Sequence, residues 1–294
     1  MKNKYSKPIV IAEIGCNHKG DLKIAKEMIM VASQSGADYV KFQKRDNKFL
    51  LGEGYNNPHP VPENSYGKTY GLHREFLEFN ISQHKDLYLT CKKYNIGYST
   101  SVWEKNSAEE LIKSKIPLDF IKVPSACNQD FELLDYLGRK FKKKIHISLG
   151  MTKYDEIKSI YNFFKKLKKN KDIVFYSCTS NYPASFESLC ILEIKRLKKN
   201  FKNNIDDIAF SGHHLGISVD IAAYVLGAKF IERHFTLNRT WKGTDHSASL
   251  EPEGLRKLCR DLKNVHKSLS LKGNKVLQEE IFQRKKLKRF VSCN

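Results

Sequence analysis

The chain's pattern predicts a single-domain α/β fold, a (β/α)8 barrel of the TIM type, on three observations. Eight short β-branched or aromatic runs alternate with eight amphipathic stretches over about 260 residues. Some of the runs are almost continuously apolar, as strands covered on both faces must be. A doubly wound sheet built for a dinucleotide would want GxGxxG after its first strand, and Gly15-Cys16-Asn17-His18-Lys19-Gly20 lacks that spacing.

The first strand, Ile9–Ile14, is apolar except at Glu13, and an amphipathic helix over Leu22–Gln34 follows it. Tyr39–Gln43 is the second strand. About 40 residues from Lys44 to Gln83, rich in Asn, Gly, Pro and Tyr, then interrupt the alternation. A loop that long in a compact domain is typically a lid or a binding loop. The helix His84–Tyr94 leads to the strand Gly97–Ser101, and Ala108–Lys115 to Phe120–Pro124. The remaining helix–strand pairs are Phe131–Phe141 with Lys144–Ser148, Tyr154–Lys169 with Ile173–Cys178, Glu187–Asn200 with Ile208–Ser211, and Ile217–Leu226 with Phe230–His234. A last helix, Pro252–Leu269, closes the set. The barrel domain is thus expected over residues 1–271, followed by a basic tail over 272–294 with seven Lys or Arg against two Glu. No second folded domain is expected.

Composition narrows the function classes. No stretch approaches the roughly 18 to 20 consecutive apolar residues that span a bilayer, and Met1-Lys2-Asn3-Lys4 runs into a strand without a signal-peptide apolar region. Seven scattered cysteines without a CxxC pair read as reduced thiols of a cytoplasmic protein. The net charge of +20 lies largely in lysine runs on helices and the tail, such as 139–144 and 165–169. Aromatics do not interleave with these runs as a base-stacking platform requires, so a solvated surface that attracts anionic substrates is favoured over a nucleic-acid site.

In such barrels catalytic groups gather at the C-terminal ends of the strands. Those ends hold Glu13, Asn17, His18, Lys41, Gln43, Ser99, Thr100, Lys122, Ser125, Ser148, Ser180, Asn181, Tyr182, Ser211, His213, His234 and Asp245, too polar a set for a core. Lys41 and Lys122 each interrupt a β-branched or aromatic run, and a buried ammonium must be paired, neutralised or bound to an anion. Together with Ser125, Ser148 and Ser211 they suggest a phosphate site; internal ion pairing is the competing reading. His213 and His234 are 21 residues apart, about one helix-plus-strand unit, which places two imidazoles on neighbouring tips. With carboxylates or hydroxyls beside them they suit a divalent ion, with manganese, zinc and iron(II) all open.

These motifs resemble the sialic acid synthase family, the phosphoenolpyruvate-dependent synthases of nine-carbon ulosonic acids. The likeness runs from about Ile9 to Leu269 through Ala12–Gly20, Gly36–Gln43, Ser148–Thr152, Cys178–Pro183, Ser211–Ile217, Glu232–Leu237 and Gly243–Pro252. The resemblance implies Lys41, Lys122, Ser125, Ser148, Ser180 and Ser211 around the phosphate of phosphoenolpyruvate. It implies His213 and His234 as ligands of a divalent metal, typically manganese, and Glu13, Gln43, Tyr182 and Asp245 around an amino-hexose aldehyde, with Glu13 orienting the reacting centre or handling its proton. Three departures stand out. Cys127 falls where the family has a carboxylate, and Gly212 falls where it has an aspartate. The C-terminal antifreeze-like domain, which in the family reaches across a homodimer to the sugar, is not expected after the barrel. A lid formed by the Lys44–Gln83 loop, or a separately encoded antifreeze-like cap, is expected to take its place. Synthesis of a legionaminic- or pseudaminic-type acid, or a catalytically silent sugar- or phosphate-binding barrel, are the alternatives.

Overall fold

The structure, a computed structural model, describes residues 5–289. Met1–Lys4, Cys293 and the last part of the basic tail lie outside the described residues. Eight parallel strands close into a ring in sequence order: β1 (Ile9–Gly15), β2 (Tyr39–Lys44), β3 (Gly97–Val102), β4 (Phe120–Val123), β5 (Lys144–Ser148), β6 (Ile173–Cys178), β7 (Asp207–Gly212) and β8 (Phe230–His234). β8 returns to β1 from Ile9↔Phe230 to Glu13↔His234, which closes the ring and leaves no free edge. The expected fold class and all eight expected strands are therefore present.

The first six helices start where a side chain can satisfy their free N–H groups. Asp21 accepts from the backbone of Lys23 and Ile24 and opens α1 (Leu22–Gln34), whose Ala25, Met28, Ile29 and Ala32 are buried against the barrel. A short α2 (Asn47–Leu51) and α3 (Tyr70–Leu77) follow within the long connection after β2, together with two 3-10 turns. The expected irregular loop is thus a folded excursion. α4 (Ile81–Lys93) begins three residues before the expected start, because Asn80 and Gln83 cap one another's backbone. Then come α5 (Lys105–Lys113), α6 (Phe131–Lys140), α7 (Tyr154–Lys166), α8 (Glu193–Phe201), α9 (Ser218–Leu226) and α10 (Pro252–Ser268). The expected helix Glu187–Asn200 is split: a 3-10 turn over Glu187–Leu189 ends at Cys190, whose φ of 45° is left-handed. In the tail, α11 (Ile281–Leu287) buries no side chain.

Two apolar cores result. The larger lies between strands and helices. The smaller plugs the lumen with Ile11, Phe120, Val174, Tyr176, Ala209 and Phe230. Side chains alternate in a strand, so a step of two residues toward the C-terminal end carries four of these inward positions to a polar one. Ile11 gives way to Glu13, Phe120 to Lys122, Ala209 to Ser211 and Phe230 to Glu232. A charged layer thus sits directly on an apolar floor.

Candidate active site

The charged layer forms the base of a cavity of about 300 Å³ at the C-terminal ends of the strands. All twelve residues expected at a substrate or metal site line it: Glu13, Lys41, Gln43, Lys122, Ser125, Ser148, Ser180, Tyr182, Ser211, His213, His234 and Asp245. Other strand-tip residues turn away. Asn17 donates to Phe235 O and Ser249 Oγ, and His18 stacks on Phe79 with centroids 4.1 Å apart. Ser99 donates to Phe120 O, and Thr100 to Ser101 O. Asn181 accepts from the N–H of Tyr182. Cys127 is buried outside the cavity, which Ala126 lines instead, and burial pushes the Cys127 thiol up to about 12.

Both buried lysines have carboxylate partners. Lys41 pairs with Glu13 and donates to Ser101 Oγ at 2.8 Å; Lys122 pairs with Glu232 at 2.5 Å and lies 4.3 Å over the Tyr176 ring. Glu232 also lies 3.8 Å from Lys41 and accepts from Ser211 at 3.2 Å, so one carboxylate links three groups of the cavity. Glu232 has no role of its own in the sequence pattern, which places it only within the Glu232–Leu237 stretch. Alternation along β8 could have placed it, since it shares the inward face with His234. Beneath it, His146 stacks on Phe120 at 3.9 Å, its Nδ1 lies 2.7 Å from the Tyr176 hydroxyl, and burial holds it well below the usual imidazole range.

The two acids of this layer are tuned apart. Burial raises Glu232, but Lys122 and Lys41 outweigh it and hold the carboxyl at about 2. For Glu13 burial prevails over Lys41, with the Glu232 charge adding to it, and the carboxyl is raised. Gln43 Nε2 donates to Glu13 at 2.9 Å. A bulge after Glu13 shifts the β1–β2 register, and Gly15 there has φ +55°. A Cβ on Gly15 would come within 3.2 Å of Glu13 Oε1 and 3.0 Å of Gln43 Nε2, so glycine allows this acid–amide pair to reach the cavity.

On the β4–β6 arc, Ser125 Oγ accepts from the Gly150 N–H at 3.0 Å, and any Cβ at Gly150 would collide with the Ser125 and Ser180 hydroxyls. Across β7 and β8, the His213 and His234 rings lie 5.5 Å apart, with the Tyr182 ring 4.1 Å from the first and 5.7 Å from the second. His213 Nδ1–H donates to Thr179 O at 2.7 Å, and the ring also hydrogen-bonds the Cys178 sulfur, which a ligand at Nε2 would have to displace. His234 Nδ1 is buried without a hydrogen-bond partner, and Asp245 Oδ2 is 3.8 Å away. Burial lowers His234 to about 4, against the pull of Asp245, so its imidazole is neutral and able to ligate at neutral pH. Burial also disfavours charge on His213, but the neighbouring Cys178 sulfur outweighs it and raises His213; a metal would have to displace that proton. Among the described residues no group of three or more His, Cys, Asp or Glu is arranged as a metal cage. The two imidazoles could therefore hold a divalent ion only with substrate or water completing its shell.

By contrast His214 and His246 serve the scaffold. His214 is wholly buried beside the Arg233–Asp220 pair, and His246 Nδ1 lies 2.8 Å from Thr236 Oγ1. Arg45 and Arg74, which line the cavity from the β2–α3 side, carry no strand-tip signal because they sit in the long connection.

The NeuB family matches residues 28–274. The chain is 38% identical to N-acetylneuraminate-9-phosphate synthase of Homo sapiens, over 95% of this chain and 76% of that protein. It is 35% identical to N,N'-diacetyllegionaminic acid synthase of Campylobacter jejuni, over 90% and 78% respectively. The crystal structure of N-acetylneuraminic acid synthetase from Leptospira borgpetersenii, solved with citrate, superposes with a TM-score of 0.79 at 26% identity, covering 96% of this chain and 93% of that one. With a closed barrel, a cavity lined by every expected site residue and matches of this extent, the chain belongs to the NeuB family, whose members among these relatives are named as synthases of sialic and related ulosonic acids.

Proposed function

We propose that this chain condenses phosphoenolpyruvate with an open-chain N-acetylmannosamine-type aldehyde, giving a nonulosonic acid and inorganic phosphate. The observation that carries the reading is one cavity holding a raised acid, Glu13, an imidazole pair on β7 and β8, and a serine-lined arc on β4–β6 beside Lys122. Carbon 3 of the enol attacks the aldehyde carbon and forms the new C–C bond. Water adds to the resulting oxocarbenium at carbon 2, and the C–O bond to phosphate then breaks. Lys41, Lys122, Ser125, Ser148, Ser180 and Ser211 hold the phosphate through both steps. Gln43, Tyr182 and Asp245 orient the sugar, and Glu13, raised by burial, handles the proton at the reacting centre. A divalent ion, manganese in our reading, fits between His213 and His234 and when bound would polarise the aldehyde.

The neuraminate-type relatives, at 38% and 35% identity, favour that product class over the pseudaminic type, whose Helicobacter pylori synthase is 26% identical. Six free thiols among the described residues support a reducing, cytoplasmic setting. We further propose a homodimer in which the Lys44–Gln83 connection forms the lid, rather than a separately encoded antifreeze-like cap. The test is phosphate release from phosphoenolpyruvate across 2-acetamido and 2,4-diacetamido hexoses, with and without manganese. Release that needs both sugar and metal is the expected result. Binding without release for every sugar would make the chain a silent barrel.

A further inference from the structure

The closed ring gathers basic side chains that are scattered along the chain. Helices end and strands begin at the N-terminal face of the barrel, opposite the cavity. From the ends of α6–α9 to the starts of β5–β8 run residues 139–144, 165–172, 198–207 and 227–229. These four segments carry fourteen Lys or Arg, thirteen of them Lys, against three Asp. At the other end of the same strands, residues 149–157, 179–196, 213–221 and 235–255 carry five Lys or Arg against eight Asp or Glu. A lysine-rich composition alone would load both ends. Helix dipoles draw cations to C-termini, yet eight of the fourteen, Lys142, Lys143 and Lys171 among them, lie past the helix ends.

The carboxylates of this face are already engaged. Asp172 and Asp206 meet Lys144 at 3.6 and 2.8 Å, Asp172 also meets Lys169 at 2.8 Å, and Asp207 meets Lys229 at 3.4 Å. Among the described residues Lys165, Lys166, Lys168, Lys199 and Lys202 are exposed with no carboxylate in ion-pair distance. Lys198 is half-buried, and its Nζ donates to Gly227 O at 3.2 Å beside a cavity of about 360 Å³ that Lys202 and Lys229 also line. Burial, and then the charge of Lys202, holds the Lys198 ammonium below the usual lysine range, so an anion at this point would relieve it.

The face is level. Ile145 pairs with Ile173, Val174 with Asp207 and Ala209 with Phe230, so β5–β8 start within two residues of one another along the barrel. No large apolar side chain in the four segments is exposed, so attraction there rests on charge. A plane of separate ammonium groups matches an extended anionic plane. A polynucleotide groove would call for forked arginines and exposed rings on which bases stack, and the one arginine here, Arg139, is paired with Asp135. We infer that the N-terminal face across β5–β8 is a docking surface for an anionic lipid bilayer, held by charge without insertion. Docking there is independent of the condensation proposed above. It points the mouth of the barrel away from the lipid and leaves it open to substrates from solution.

The test is sedimentation of the whole chain with vesicles of phosphatidylcholine, alone or mixed equally with phosphatidylglycerol, at about 0.1 M salt. Binding to the mixed vesicles only, weakening as salt rises, is the expected result. Each lysine near an anionic surface strengthens binding about fivefold, so Lys165→Gln/Lys166→Gln/Lys168→Gln and Lys198→Gln/Lys199→Gln/Lys202→Gln should each weaken it about 100-fold. Removing equal charge elsewhere, as Lys23→Gln/Lys48→Gln/Lys85→Gln, should cost less than about tenfold. A cooperative melt like that of the wild type shows that each variant is folded. No sedimentation with the mixed vesicles, or equal sedimentation with both kinds, overturns the inference. So does an equal loss in the face and control variants, which would leave net charge as the whole cause. Loss confined to Lys285→Gln/Lys286→Gln/Lys288→Gln would move the contact to α11 and overturn it too. Single-stranded RNA bound more tightly than the vesicles, and lost in the face variants, would make this a polynucleotide site instead.

Discussion

Glu232 joins Lys122, Lys41 and Ser211 at the base of the cavity, and Glu232→Gln removes its charge while keeping its shape. Its carboxyl is held at about 2, against an ordinary 4.5. That difference is worth about 3 kcal/mol to the folded state at neutral pH. Breaking a buried ion pair from one side costs about 3 to 5 kcal/mol, which agrees. At about 2 to 4 °C per kcal/mol for a chain of this size, the melting temperature should fall by roughly 6 to 12 °C. Because the folded-state value is depressed, the wild-type advantage is fully present above pH 4.5 and is lost as pH falls from there toward 2. The melting difference should therefore be constant near neutrality and begin to shrink below pH 4.5. Inorganic phosphate should raise the melting temperature of the variant more than that of the wild type, since the Lys122 ammonium then lacks its counterion while Lys41 keeps Glu13. Melts at neutral and acid pH, with and without phosphate, measure all of this. A loss under about 2 °C at neutral pH, or a larger phosphate effect on the wild type, would refute the idea that Glu232 is the internal stand-in for a bound anion.

Two further outcomes follow from the mouth of the barrel. Removing divalent ions with a chelator should abolish turnover and manganese should restore it, while His234→Ala should bind manganese at least tenfold more weakly by calorimetry, on the order expected for losing one of two protein ligands; full activity of the chelated protein would remove the metal from the mechanism. Deleting residues 52–62 takes away the segment packed on α3, where Gly71 leaves room only for the Tyr55 ring and Tyr70 N donates to Asn57 O at 2.7 Å; the KM for the sugar should rise on the order of tenfold or more with a cooperative melt retained, and activity that appears only on adding an antifreeze-like protein would assign the lid to a partner.

The strands and their polar tips were legible because a barrel imposes two simple periodicities, and a lysine such as Lys41 inside a β-branched run violates both. Paired imidazoles one helix-plus-strand unit apart carried the same kind of signal. What could not be read was which charge meets which. Glu13 with Lys41 is a neighbouring-strand contact, but Lys122 with Glu232 joins residues 110 apart in the chain, across the lumen. Ring closure brings them together, and no local pattern encodes it. Arg45 and Arg74 were hidden for a different reason: their place depends on how a 40-residue connection folds back, and loop composition says little about that. His18 and Asn17 looked functional because they are polar beside a strand end, yet the chain turns at Gly15 and sends them into packing under Phe79 and Phe235.

A closed ring also divides what can be altered from what cannot. Each strand is held in register by two neighbours, as Glu13 is opposite both Lys41 and His234, and a slip of one residue would turn every inward side chain outward. The charged layer is therefore as rigid as the barrel itself, and no point change there is independent of the rest. Of the cavity lining, Arg45, Arg74, Tyr182, Thr244 and Asp245 belong to connections, each beyond the last strand residue before it. Redirecting this scaffold to another sugar is thus first a problem of rewriting three loops, 45–80, 179–192 and 235–250, over a base that is left untouched.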